Sequence, residues 1–273
     1  MNIFDRPKID GHCHVLDPQR FPYPAEVPYH PQGQEIGTAD YYKHVMAAYG
    51  VQHALLVGPN SGYGLDNRCM LDAIAQGEGR FKGIAVVPAN ISLQALKDLQ
   101  SQGIVGIAFN TSLHGLDYYA DIDPLLVHLR DLDMWAQFQT SANQLEALWP
   151  RIERIGVKTM IDHCGRPHLA DGPNAPGLQA LWKLADSGLG VIKISGFAKF
   201  SQTGFPFDDA HAHTLKVWNA FGPERCIWAS DWPYLRGTYR LDYGTLLKLT
   251  ERWFTPAQLQ AMMWDTPAKI LGW

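Results

Sequence analysis

The feature that most constrains this chain is a recurrence. Eight short, apolar, β-rich runs follow one another at intervals of roughly 20–35 residues. They are Ile9–Leu16, His53–Gly58, Phe81–Val87, Ile104–Asn110, Trp135–Thr140, Lys158–His163, Gly190–Ser195 and Cys226–Asp231. Most are continuous rather than alternating, the pattern of strands buried on both faces of a parallel sheet. Helical spacing fills the intervals, over Ala39–Tyr49, Asn67–Gln76, Ser92–Gln102, Pro124–Asp133, Asn143–Ile155, Pro176–Ser187, Asp208–Phe221 and Tyr243–Trp253, and a last segment covers Pro256–Leu271. Such an alternation predicts an α/β fold, a (β/α)8 TIM barrel in which residues 1–273 form a single domain. A doubly wound open sheet is the alternative, but no G-x-G-x-x-G follows any run.

One connection breaks the pattern. Asp17–Thr38, after the first run, holds five prolines and the rings of Phe21, Tyr23 and Tyr29, with no helical period. Long structureless loops inside compact domains are usually functional. This one starts at the C-terminal end of the first strand, where barrel active sites lie, and is expected to cover the site.

Composition excludes several classes. The 273 residues carry 23 Lys+Arg and 27 Asp+Glu, a net charge of −4, without a basic run that would grip nucleic acid. An apolar content of 46% supports a large core. No apolar stretch is long enough to span a membrane, and the first residues lack the apolar core of a signal peptide. Cys13, Cys69, Cys164 and Cys226 are widely spaced and form no C-x-x-C pair. A reduced, cytoplasmic protein is expected.

The chemistry concentrates where runs end. In Ile9-Asp10-Gly11-His12-Cys13-His14, His12 and His14 are two apart on a strand and face the same side, with Cys13 on the other. The sixth run ends in Asp162-His163-Cys164-Gly165-Arg166-Pro167, and the eighth in Ser230-Asp231-Trp232-Pro233. Polar residues at the C-terminal ends of barrel strands read as catalytic. The plainer readings are a loop histidine for His163 and a helix N-cap for Asp231.

Together these motifs resemble the amidohydrolase superfamily, and within it the branch of 2-pyrone-4,6-dicarboxylate lactonases, sugar-acid lactonases and galactarolactone isomerases. Arg20-Phe21-Pro22-Tyr23 with Tyr29-His30-Pro31 resembles that branch's first loop. Ser61-Gly62-Tyr63-Gly64-Leu65-Asp66-Asn67-Arg68 resembles its second, and Thr266-Pro267-Ala268-Lys269-Ile270-Leu271-Gly272 its final helix. The resemblance implies a hydrolase that opens a small lactone. Asp231 would activate water, and His12, His14 and His163 would polarise the carbonyl. Tyr29, Ser61, Asn110, Lys199 and Arg236 would contact the substrate.

No cofactor is expected. The fourth run ends Ala108-Phe109-Asn110 and the fifth Gln137-Phe138-Gln139, which lack the Lys or Glu and the His of two-metal relatives. One zinc on His12, His14, His163 and Asp231 is the alternative. The fourth run also lacks the arginine with which relatives clamp a dicarboxylate, and no arginine follows it closely. A less charged lactone is therefore expected. Other readings are a lactone isomerase, a zinc-dependent decarboxylase or amide hydrolase, and a binding protein using the same mouth.

Overall fold

The computed structural model describes residues 2–27 and 29–273. Eight strands form one sheet in sequence order: β1 (Lys8–Cys13), β2 (Val51–Val57), β3 (Phe81–Ala85), β4 (Ile104–Phe109), β5 (Trp135–Phe138), β6 (Thr159–Ile161), β7 (Gly190–Ile194) and β8 (Cys226–Trp228). The pairings with a described register are parallel. A parallel bridge between Cys13 and Trp232 links β1 to the chain just past β8 and nearly closes the sheet. This is the (β/α)8 barrel that the eight runs predict.

The helices are α1 (Ala39–Ala48), α2 (Arg68–Ala75), α3 (Leu93–Ser101), α4 (Thr111–His114), α5 (Asp123–Asp131), α6 (Gln144–Ile155), α7 (Pro176–Ser187), α8 (Asp208–Phe221), α9 (Tyr243–Trp253), α10 (Pro256–Gln260) and α11 (Thr266–Leu271). Two of them depart from the spacing. The short α4 had no periodic signal, because a single turn is too short to show one. The last segment is two helices joined by a π-helical stretch, Ala261–Asp265. Pro267 stands in the first turn of α11, where its missing N–H is tolerated.

Two compact units are distinguished, Met1–Val86, Leu99–Val105 and Trp228–Trp273 as the first, Val87–Asp98 and Gly106–Ile227 as the second. In the first, Ile9, Leu55, Leu56 and Ile84 from three strands are fully buried, with Tyr42 and Met46 of α1. Thr38 caps α1 by accepting from Tyr41 N. Among its described residues, the loop between β1 and α1 contains one short helical turn, Gly33–Glu35. It is nevertheless tied down: the Tyr63 hydroxyl accepts from Asp17 N at 3.1 Å and donates to Phe21 O at 2.9 Å. Tyr23 donates to Pro31 O at 3.0 Å.

In the second unit, Phe138, Met160, Ile192 and Ile194 fill the strand layer. The α6 helix buries Leu145, Leu148, Trp149, Ile152 and Ile155, an i, i+3, i+4, i+7 stripe, and ends on Gly156 in the left-handed conformation. Each such fully buried aliphatic side chain contributes about 1.5–3 kcal/mol.

Among the described residues no helix is long and apolar enough to cross a membrane. All four cysteines are buried as thiols.

Candidate active site

The strands are shorter than the apolar runs, and the difference places the chemistry. His12 is the penultimate residue of β1, and His14 lies one residue past its end. His163 follows β6 by two residues and Asp231 follows β8 by three. His12 thus closes its strand from within, and the other three belong to the stretch that leaves the ladder at a strand's C-terminal end. β1 also carries one more residue than β2 between the pairs Asp10–Ala54 and Cys13–Leu56, a bulge of the kind that re-aims side chains beside a site.

In the first unit three of the expected groups converge. His12 Nε2 and His14 Nε2 are 3.3 Å apart, with the rings at 85°. Asp231 Oδ1 stands 3.8 Å from the first nitrogen and 3.7 Å from the second. All three residues are buried. His14 Nδ1 lies 2.8 Å from Val57 O, and a carbonyl can only accept. Nδ1 therefore carries the proton, and Nε2 is the atom turned toward Asp231. A neutral His14 offers a lone pair there, and the imidazolium offers a donor.

The backbone holds this arrangement in register. Asp231 N donates to His12 O, and His14 N donates to Trp232 O, both at 2.8 Å. Asp231 has φ +62°, an uncommon conformation for a residue with a side chain. The next residue, Trp232, is packed tightly: its ring stacks on Tyr42 at 4.7 Å, and a Cβ on Gly37 would come within 2.3 Å of it.

Beneath the histidines lies a buried carboxylate to which the sequence reading assigned no role. Asp10 Oδ1 accepts from His12 N at 3.2 Å and Ser230 N at 2.9 Å. Its Oδ2 accepts from Tyr42 Oη at 2.7 Å and Tyr243 Oη at 2.9 Å. Burial pushes the Asp10 carboxyl above its ordinary value, and hydrogen bonds from Ser230, Tyr42 and the His12 backbone oppose that. Asp10 thus joins the backbones of β1 and the β8 end, which carry His12 and Asp231.

Of the expected substrate contacts in this unit, Tyr29 donates to a Glu35 carboxylate oxygen. Arg236 stands over the Tyr29 ring at 5.8 Å from its centroid. Ser61 is partly exposed in the loop after β2.

The second unit has its own constellation. His163 is buried, with Nδ1 3.0 Å from Ser195 Oγ at the end of β7. His163, Cys164 and Arg166 all have positive φ, so the chain turns sharply there. Gly196 makes room: a Cβ on it would lie 2.5 Å from both Cγ and Nδ1 of His163, and its own φ is +63°. Gly196→Ala should therefore displace the imidazole and destabilise the fold by about 2–5 kcal/mol. Thermal unfolding together with the proton resonances of His163 would check both effects. Next to His163, Asp162 pairs with buried Lys193 at 3.2 Å, and Gln137 donates to its other oxygen at 3.1 Å. Lys193 in turn donates to Gln137 Oε1 at 2.5 Å.

Asn110 caps α4, its side-chain oxygen accepting from Leu113 N at 3.1 Å and Ser112 Oγ at 3.0 Å. Lys199 ends a helical turn after β7 and is half-buried. The end of β4 has no arginine close in sequence, but Arg166 reaches it through space, with Nη1 2.7 Å from Ser112 Oγ. The Arg166 guanidinium thus lies beside α4, just past β4.

The sequence matches the model of the Amidohydrolase family over residues 9–273. The chain belongs to this family. The amidohydrolase is 31% identical over 277 residues to a 4-sulfomuconolactone hydrolase of Rhizobium radiobacter, covering 96% of this chain and 89% of the relative. It is 26% identical over 279 residues to a 2-pyrone-4,6-dicarboxylate hydrolase of Comamonas testosteroni, covering 96% and 89%. Among solved structures it is similar to a probable 2-pyrone-4,6-dicarboxylic acid hydrolase from Acinetobacter baumannii with citric acid bound. There the TM-score is 0.86 at 25% identity, over 98% of this chain and all of the other. Sequence reading of this amidohydrolase singled out the histidines and Asp231 and gave no role to Asp10 and Arg166. Both stand inside the motifs that drew attention, but their partners are remote in sequence.

Proposed function

We propose that this amidohydrolase opens the ring of a small lactone, with Asp231 as the base that activates water. The observation that carries the reading is the approach of His12 Nε2, His14 Nε2 and Asp231 Oδ1, within 3.3–3.8 Å of one another and shielded from solvent. Named relatives that act on lactones support it. Asp231 takes a proton from water as the oxygen attacks the carbonyl, and returns it to the departing ring oxygen. His12 and His14 stabilise the charge that develops on the carbonyl oxygen. We assign His163 the same role on its motif and its place after β6, with Ser195 orienting its ring.

The substrate we propose is a lactone carrying an acidic group. Tyr29, Ser61 and Arg236, and in the second unit Asn110 and Lys199, would bind it. Arg166 adds a planar, bidentate cation suited to a carboxylate or sulfonate.

The donor set also fits one divalent ion. Two imidazole nitrogens sharing a tetrahedral zinc at about 2.0–2.1 Å stand about 3.3–3.4 Å apart, and the two Nε2 atoms are separated by 3.3 Å. His12, His14 and Asp231 would hold such an ion, with His163 as the further ligand in that reading, and it would supply Lewis acidity at the carbonyl. We nevertheless propose that the enzyme works without a metal, because a lactone is an activated ester and the side chains suffice. The two forms need different states of His14. Polarisation by hydrogen bonding needs the imidazolium, whereas a metal needs the neutral ring.

One experiment tests the proposal. A panel of mono- and dicarboxylated lactones is incubated with enzyme in ¹⁸O-labelled water, before and after exhaustive chelation. Label in the acid product and undiminished rates after chelation are expected. Turnover without label would replace hydrolysis by internal transfer, as in an isomerase. Loss of activity restored by zinc would overturn the metal-free reading.

A further inference from the structure

Two loops of the first unit meet on one carboxylate. Glu35, at the end of the helical turn in the β1–α1 loop, accepts from the Tyr29 hydroxyl through Oε2 and from the Arg236 backbone nitrogen through Oε1. Arg236 has φ +58° and places its guanidinium over the Tyr29 ring. Two residues beyond Glu35, Gly37 lies flat against the ring of Trp232, the neighbour of Asp231. The carboxylate is thus tied to the same loops that frame the proposed base.

Tyr29 and Arg236 are groups expected to contact the substrate, and in the folded chain an internal anion already engages the Tyr29 hydroxyl and stands at the Arg236 backbone nitrogen. We propose that Glu35 is a specificity-determining residue: its carboxylate occupies the Tyr29 hydroxyl and places a negative charge beside Arg236, where a second substrate carboxylate would otherwise be received, so the enzyme favours lactones bearing one anionic group over those bearing two. The inference rests on the lactone-opening reading of the site. Its physical basis is that a like charge at a recognition site discriminates strongly against the wrong ligand. Tyr29 remains a donor throughout, since burial and the bond to Glu35 push its phenol up to about 12.

The test compares wild type with Glu35→Gln, which keeps the side-chain size and an oxygen for the Arg236 amide. With a matched pair of unsaturated lactones, one monocarboxylated and one dicarboxylated, kcat/KM for the dicarboxylate relative to the monocarboxylate should rise about tenfold. Calorimetric titration with citrate and with acetate reads the same site without turnover. Citrate affinity should rise about tenfold relative to acetate, and adding Tyr29→Phe should cancel the gain. Unchanged ratios in both measurements would overturn the inference. Wild type that opens neither lactone would sink the lactonase reading instead, and the citrate titration would still decide the role of Glu35.

Discussion

Asp231→Asn should lower turnover by about 10²–10⁴-fold, the usual worth of a positioned proton acceptor. Lactone affinity should change little. The substitution isolates the chemistry because asparagine tolerates the left-handed backbone at least as well as aspartate, and Asp231 sits at φ +62°. Size is conserved, and the backbone bond from residue 231 to His12 O does not involve the side chain. What disappears is a proton acceptor 3.7–3.8 Å from two imidazoles. Single-turnover kinetics beside equilibrium binding would separate the two effects. Turnover within a few-fold of wild type would show that another group serves as the base.

Asp10→Ala has the largest expected effect on stability, a loss of about 3–5 kcal/mol. The carboxylate is fully buried and accepts four hydrogen bonds, two from tyrosine hydroxyls and two from backbone nitrogens. Alanine would strand those donors where water does not reach. Asp10→Asn should cost less, since one side-chain oxygen survives and a tyrosine hydroxyl can turn to accept from the new amide. Denaturant midpoints for the two variants would check the order. Activity should fall with stability, because two of those donors are the backbone nitrogens of His12 and of Ser230, the residue before Asp231.

The barrel was legible because parallel strands buried on both faces must be continuously apolar, and each run recurs after one helix. His12 and His14 were legible because a strand repeats every two residues, which puts them on one face whatever surrounds them. Asp231 and His163 stood out as ionisable residues closing apolar runs. Asp10 was hidden for the opposite reason. It sits inside an apolar run, and its partners come from residues 42, 230 and 243. Arg166 was likewise read as belonging to the end of β6, whereas its side chain reaches Ser112, 54 positions earlier.

By itself, then, the sequence determined the alternation of strands and helices, the long first loop and the ionisable residues at strand ends. These depend on local periodicity and on apolar burial, which neighbouring residues express. The tertiary structure alone decided that Glu35 would reach the Arg236 backbone, that Asp10 would brace two strands, and that Arg166 would reach Ser112. Each of these depends on distances between residues remote along the chain, and such distances are set only when the strands have found their neighbours.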